Sequence, residues 1–480
     1  MVKPYHRHKL RISAVAKFIS RVKSHIPTLQ GNTFAKEGKF HPMLFTHISD
    51  NQVISPLEGH EQDRKWMMST KRLFYMGIMF SSLDSFPLFI NISTYAPYFS
   101  VLFFALYLAI NHRHIGTSYS RNEFICLLAI LLSYGISLLY GVFVYDDTSG
   151  FVSFFIQLTI AIVLYKSFNT YFRQIPTELY TERFARVFIK YNIPILAIGI
   201  LEIMLMNNHG VYDSFVSLFS WRTTLGRIQL VSGEPAWASR LLLTMLALIP
   251  LARYGAMKTT FLTITSSLLL LATGSSLGIL CAALYYLITY FKRRYIKYYI
   301  TCAIFLSIMA PIIYNSLSYY TKSRLELLSQ LSDNNIETLA VNAGSGSVMA
   351  RIGNPIVGAY VGLKHPITGV GGGYYYQHHF DNLAQLFPSA LSIPNVYETG
   401  TTPKNLLSRV FAETGLLGLL PLLFGLMWIY KHIISYNKQL LGVFICMLLL
   451  TINFDTLFHI YPLLLFCFLI NYPYKQTTLS

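Results

Sequence analysis

Arg222, Arg227, Glu234 and Arg240 lie on one short stretch, Trp221-Arg222-Thr-Thr-Leu-Gly-Arg227-Ile-Gln-Leu-Val-Ser-Gly-Glu234-Pro235-Ala-Trp237-Ala-Ser-Arg240, directly before a run of apolar residues. A guanidinium fork matches phosphate oxygens in pairs, so the stretch reads as a clamp for the diphosphate of a lipid headgroup. Snorkelling at a helix end fits the same arginines, Arg240 most readily because it stands in the first turn of the apolar run. Further along, Ser347-Val-Met-Ala-Arg351 predicts a helix start with Ser347 as N-cap. Its bare amides and Arg351 one turn in suit a pyrophosphate, and an ordinary surface cap fits as well. Next comes Pro366-Ile-Thr-Gly369-Val-Gly371-Gly-Gly373-Tyr374-Tyr375-Tyr376-Gln-His378-His379. The glycines allow close backbone approach to a ligand. Tyr374, Tyr375 and Tyr376, with Trp237, are candidates for stacking on sugars, although tyrosines are common at membrane interfaces. His378 and His379 suit general-base work at neutral pH, with Glu234 as a third candidate that could instead orient an arginine. Lys404, Arg409 and Glu413 close the set at near-helical spacing, the first two as further phosphate ligands. No cluster has metal-ligand spacing, so neither metal nor other cofactor is expected. The glycine run mimics a nucleotide loop, but no strand–helix unit surrounds it.

The elements that must position these residues are membrane helices. Of the 480 residues 53% are apolar or aromatic and 12% charged, about half the charge of a soluble protein. Apolar blocks at 73–91, 95–110, 124–144, 149–168, 193–206, 240–252, 259–273, 277–291, 299–317, 412–430, 439–454 and 459–472 predict an all-α polytopic membrane protein with twelve spans. The net charge of +17 is not a nucleic-acid signature, because it is sorted by side: 29 of the 38 Lys and Arg fall on the side of both termini and nine on the other. That sorting predicts cytoplasmic termini. The five cysteines lie inside apolar blocks and suggest no disulfide. The chain divides into a basic tail over 1–72, nine spans over 73–317 with an outer loop at 207–239, a large outer loop at 318–411, and three spans over 412–480. Within the tail, Ile12, Val15, Ile19, Val22 and Ile26 suit an amphipathic helix on an anionic leaflet, or a disordered tail, and the tail has no signal-peptide core. Segment 169–192 reads as a separate helix at the inner interface.

In order and spacing, Arg227…Gly233-Glu234-Pro235, Thr273-Gly-Ser-Ser, Ser347-Val-Met-Ala-Arg351, Pro366-Ile-Thr-Gly369-Val-Gly371 and Asn405…Glu413-Thr-Gly415-Leu-Leu-Gly418 resemble the O-antigen polymerase/ligase superfamily, and in particular its Wzy-type polysaccharide polymerases. The resemblance covers roughly residues 220–425. It implies a GT-C-like glycosyltransferase of the bacterial inner membrane with a periplasmic active site, acting in lipopolysaccharide biosynthesis. Donor and acceptor would be oligosaccharides on undecaprenyl pyrophosphate, and a chain-length regulator protein is an expected partner. The family often places a His-Asn pair where this chain has Lys404-Asn405, which favours polymerase over ligase. A ligase acting on lipid A–core remains one alternative, and a lipid-linked oligosaccharide flippase is another of a different class. Against transport, no inverted repeat is visible and intramembrane charges are few, Glu202 being the clearest.

Overall fold

A computed structural model describes residues 70–83, 99–111, 121–145, 148–220, 226–290, 349–392, 402–452 and 459–472, with the isolated positions 296–297, 300–301, 311, 315 and 322. All of them lie in one compact unit, His60–Ser480. The tail as far as residue 69, with the segment predicted as an amphipathic helix, Arg222 and Ser347 fall outside the described residues, as does most of the predicted span 299–317. Helices are the only regular elements among the described residues, which contain no strand.

The helices are α1 (70–79), α2 (Phe99–Ile110), α3 (Arg121–Val144), α4 (Ser149–Arg173), α5 (Tyr180–Leu205), α6 (His209–Ser217), α7 (Pro235–Leu248), α8 (Ala256–Ala272), α9 (Ser276–Tyr290), α10 (Asn354–Lys364), α11 (Tyr375–Leu386), α12 (Leu406–Ile429), α13 (Leu441–Ile452) and α14 (Ile460–Ile470). Four helical stretches are long and apolar enough to cross a membrane: Ser149–Arg173, Thr177–Leu205, Pro235–Ala252 and Leu406–Ile434. Shorter apolar helices, α2, α8, α9, α13 and α14 among them, coincide with other predicted spans. Several boundaries move. The stretch predicted as a separate interfacial helix is instead the end of α4, a short connection and the first half of α5, which runs through Pro194 without a stop. The loop predicted at 207–239 contains α6, N-capped by the Asn208 side chain, and already ends at Pro235. Proline suits that first helical position because its missing N–H would have no partner there anyway. Likewise α12 starts at Leu406, capped by Asn405 accepting from the Ser408 amide at 3.1 Å.

Helix α7 is the axis of the bundle, enclosed by α5, α8, α9 and α13, with every residue from Ala238 to Leu248 buried. Helices α2, α4 and α14 pack beside them through aromatic contacts: Phe74 stacks on Tyr171 at 3.8 Å and Tyr180 on Phe468 at 5.3 Å. Lipid tails are as apolar as these side chains, so close packing rather than exclusion from water must hold such helices together. The approach of α10 to α12 shows it. Gly358 and Gly362, a Gly-x-x-x-Gly pair, face Pro403 and Phe411, and a Cβ on either would come within 2.7 Å and 2.4 Å of them.

Candidate functional site

Arg227 is held from three directions. The Tyr212 hydroxyl of α6 donates to its carbonyl at 2.5 Å, its own Nε donates to the Thr273 carbonyl at 2.8 Å, and the next amide, Ile228, donates to the Ala272 carbonyl at 3.3 Å. The Thr273-Gly-Ser-Ser turn between α8 and α9 is therefore the seat of the arginine loop. It is fastened in turn by the Thr273 side chain, which accepts from the Ser275 amide, and by Gly278, whose Cα leaves room for Ser239 of α7. Glu234 is the N-cap residue of α7, its carbonyl accepting from Trp237 and Ala238 amides. Trp237 is half-buried and lies 5.8 Å under the guanidinium of Arg240. Arg240 is only 8% exposed and within electrostatic reach of His459, 3% exposed, at the start of α14. In the sequence His459 stands only at the edge of the apolar block 459–472. Only the return of α14 beside α7 shows its neighbour.

The second group is built on a broken helix. At Gly415 the backbone of α12 takes φ 61° and ψ −153°, a conformation essentially closed to other residues. The amides that the break leaves bare are met by the Pro366–Gly371 segment. Leu416 donates to the Pro366 carbonyl at 2.8 Å and Leu417 to Ile367 at 3.2 Å. In return the Val370 and Gly371 amides donate to Ala412 and Glu413 carbonyls at 2.9 and 3.1 Å. Two of the motifs noted in the sequence are thus halves of one backbone joint. Beyond it, Tyr374 fills a notch made by Gly141 and Gly150 at the facing ends of α3 and α4, stacked on Tyr145 at 4.8 Å.

The tyrosines and histidines divide sharply. Tyr374 and Tyr375 are wholly buried, with their rings against protein, while Tyr376 is half-buried and its hydroxyl lies 3.3 Å from that of Ser149. His378 is half-buried, shares a 2.5 Å hydrogen bond through Nε2 with the Tyr145 hydroxyl, and meets the ring of His365 at 5.4 Å. Burial, and then His365, push its pKa down. His379 is fully buried, with Nδ1 and the Tyr375 hydroxyl 2.8 Å apart. The same hydroxyl lies 3.5 Å from the Asn354 carbonyl, so Tyr375 ties His379 to the start of α10. Among the described residues Nε2 has no partner. Burial, with Lys404 beside it, holds His379 down to a pKa of about 4. Asn354 opens α10, and Arg351 sits half-buried in the π-helical turn Met349–Gly353 that leads into it. Arg351, His379 and Lys404 therefore gather where α10 and α12 begin.

Because His379 is depressed from its ordinary 6.5 to about 4, the unfolded chain binds the extra proton between those values. Stability from this group is full above pH 6.5 and is lost as the pH falls through 4, a swing on the order of 3 kcal/mol. Thermal unfolding of the detergent-solubilised protein should shift down accordingly over that window, and His379→Phe should flatten the dependence. An unchanged profile in the variant would contradict the assignment.

Arg409 and Glu413 form a buried ion pair at 3.1 Å, their side chains 7% and 4% exposed. A guanidinium so engaged is part of the helix-end structure. Arg409→Ala should cost about 3–5 kcal/mol by stranding Glu413, whereas Arg409→Met with Glu413→Leu should recover most of that loss. Unfolding of the two variants beside the native chain checks it, and a stable single variant would argue against the pair. Among the described residues no group of His, Cys, Asp and Glu has the arrangement of a metal site.

The two groups occupy one end of the bundle. Asn405, at the start of α12, donates to the Ile452 carbonyl at 3.3 Å, seven residues before His459 and its neighbour Arg240. At the other end Arg186 donates to the Ala252 carbonyl and pairs with Glu182. No curated protein matches the chain. Residues 261–423, about a third of its length, match the family model described as O-antigen ligase. That segment contains the Thr273 turn, Arg351, the glycine segment and the broken helix, and its match is consistent with the O-antigen ligase/polymerase superfamily.

Proposed function

We propose that the chain joins oligosaccharide repeats carried on undecaprenyl pyrophosphate, at the periplasmic face of the bacterial inner membrane. The family's members are glycosyltransferase-like enzymes of that membrane acting on lipid-linked glycans. The observation that carries the reading is the gathering of Arg227, Arg240 and His459, and of Arg351, His379 and Lys404, at one end of an apolar helical bundle. A glycan on a lipid pyrophosphate is already activated. An acceptor hydroxyl attacks the anomeric carbon, the bond from that carbon to the pyrophosphate oxygen breaks, and undecaprenyl pyrophosphate departs with the electron pair. The protein must stabilise charge on the departing group and take the hydroxyl proton.

In this reading Arg227 and Arg351, with Lys404, bind the pyrophosphate, and Arg222 belongs to the same clamp on sequence grounds. His379 is the base that fits best. Its Nδ1 is held by the Tyr375 hydroxyl, its Nε2 has no partner among the described residues, and Lys404, which adds to burial in lowering its pKa, is the group a bound diphosphate would neutralise. Binding of donor thus makes the imidazole a stronger base at the moment one is needed. His378 is tied to Tyr145, and Glu234 is the other open alternative. Trp237 and Tyr376 are the aromatic residues with exposed surface for a sugar face. Arg409 acts through Glu413, supporting the helix end beside Lys404.

A second reading is favoured by the description of the matched family: a ligase passing finished polymer to lipid A–core. The surface-glycan ladder of a strain lacking the gene, beside the complemented strain, separates the two. A single repeat attached to the core means polymerisation is lost. No attached glycan, with long polymer accumulating on the lipid carrier, means ligase. Repeats trapped on the cytoplasmic side would overturn both in favour of transport.

A further inference from the structure

The loop that presents Arg227 contains two residues in a backbone conformation that they disfavour. Leu230 has φ 49° and Val231 φ 63°. A single left-handed residue is unusual outside glycine and asparagine, and for a β-branched side chain it is a true outlier that something must impose. Side chains alone do not explain it. Leu230 is buried in the notch left by Gly199 of α5, where a Cβ would come within 2.2 Å of it, and Val231 is 2% exposed. Both could be buried from an ordinary loop.

What is particular here is where the amides point. One turn beyond Gly199, on the same face of α5, stands Glu202, 1% exposed. Its Oε2 accepts the Gln229 amide at 2.6 Å, and the Leu230 and Val231 amides face the same carboxyl group closely enough to stabilise its charged form. Three consecutive N–H groups converging on one anion form a nest, and a left-handed backbone is what makes such a concavity. The remaining contacts close the loop around it. The Ser232 hydroxyl donates to the carbonyls of Gln229 and Glu234, and the Gln229 side-chain amide donates to the Gly233 carbonyl at 3.2 Å. At the loop's start Arg227 is pinned to Thr273 and at its end Glu234 opens α7. A carboxylate inside an apolar helix carries a large desolvation cost, and here it spends its hydrogen bonds on the backbone of that one loop.

We propose that Glu202 is a positioning residue. Its carboxyl oxygens gather the three amides, hold Leu230 and Val231 left-handed, and thereby set the direction in which Arg227 leaves the loop. The inference rests on the reading of Arg227 as a phosphate ligand, but the clasp itself can be measured without it.

The test uses the full chain in detergent micelles and the complemented strain. In Glu202→Gln one carboxylate oxygen becomes an NH2 group that opposes an amide N–H. Hydrogen exchange over 226–234 should rise by about tenfold or more, the effect of losing a buried hydrogen bond, while α8 and α9 keep their protection. Polymer length on the glycan ladder should fall at equal membrane abundance. Adding Val231→Gly, which adopts the left-handed conformation without strain, should restore part of the polymer, a rescue that a general loss of packing would not show. Unchanged exchange in Glu202→Gln overturns the clasp whatever the chain's function. Faster exchange with an unchanged ladder overturns the positioning role and leaves the function standing. Should Glu202→Gln fail to accumulate, Glu202→Asp, which keeps the charge but shortens its reach, is read on the same two scales. Failure of the functional reading shows separately, as full activity in Arg227→Ala.

Discussion

Arg227→Ala should abolish polymer while the protein remains in the membrane at its normal level. The loss expected is about 10²–10³-fold, comparable to removing one preorganised donor that stabilises charge developing in a transition state. The alanine variant keeps the fold because the hydrogen bond from Tyr212 is to the backbone carbonyl of residue 227, and the Ile228 amide still reaches Ala272. What disappears is the guanidinium together with its hold on Thr273. Arg227→Lys should recover only a small part, since an ammonium supplies charge without the planar fork and cannot reproduce the Nε contact while facing a phosphate. Glycan ladders and quantitative membrane blots of the two variants decide it, and long polymer in the alanine variant would remove Arg227 from the clamp.

The second large effect concerns stability. Gly415→Ala should destabilise the protein by at least about 3 kcal/mol, because the backbone conformation there is costly for any side chain and because the added Cβ would lie 2.3 Å from the Ile367 carbonyl oxygen. Gly369→Ala probes the same joint from the other side: φ is 68° and the Cβ would come within 2.3 Å of the Glu413 carbonyl carbon. The control is Gly425→Ala in the same helix, where nothing lies within 4 Å and where replacing glycine in a helix should stabilise by about 0.5–1 kcal/mol. Thermal unfolding in one detergent ranks the three. Equal midpoints for Gly415→Ala and the native chain would mean that the break is not a fixed part of the fold.

Much of this architecture could be read from periodicity and composition. The apolar runs that became α3, α4, α7, α8, α9, α13 and α14 stand out because a membrane leaves a helix little choice of composition. The parts that were misread depend on contacts between distant segments. Residues 169–192 carry charges that suggest an interfacial helix, and nothing local reveals that the chain turns at Gln174–Pro176 and continues unbroken through Pro194. The glycines of 366–373 suggest room for a ligand, whereas at Gly369, Gly371 and Gly373 the room is filled by the protein's own backbone at Glu413, Gly141 and Gly150. Tyr374 and Tyr375 carry the same sequence signal as Tyr376, and only packing separates buried rings from a half-exposed one. Arg409 and Glu413 were visible at helical spacing, but their burial as a pair was not. Glu202 was visible as a lone acid in an apolar run, while its amide partners lie 27 residues on. The Gly-x-x-x-Gly pair of α10 was the one unused local signal that marked a close helix contact.

The joint at Gly415 also constrains the order in which this chain can be assembled. Leu416 and Leu417 begin the apolar part of α12 beyond its break at Gly415, and an amide without a partner is costly in lipid. Their partners are the carbonyls of Pro366 and Ile367, about fifty residues earlier in the chain. A ribosome delivers that segment first, so when α12 enters the bilayer its acceptors are already made, provided they have crossed to the same side. The topology of the large loop is thereby proofread by the insertion of the helix that follows it: a loop left on the wrong side would leave α12 with bare amides at its head.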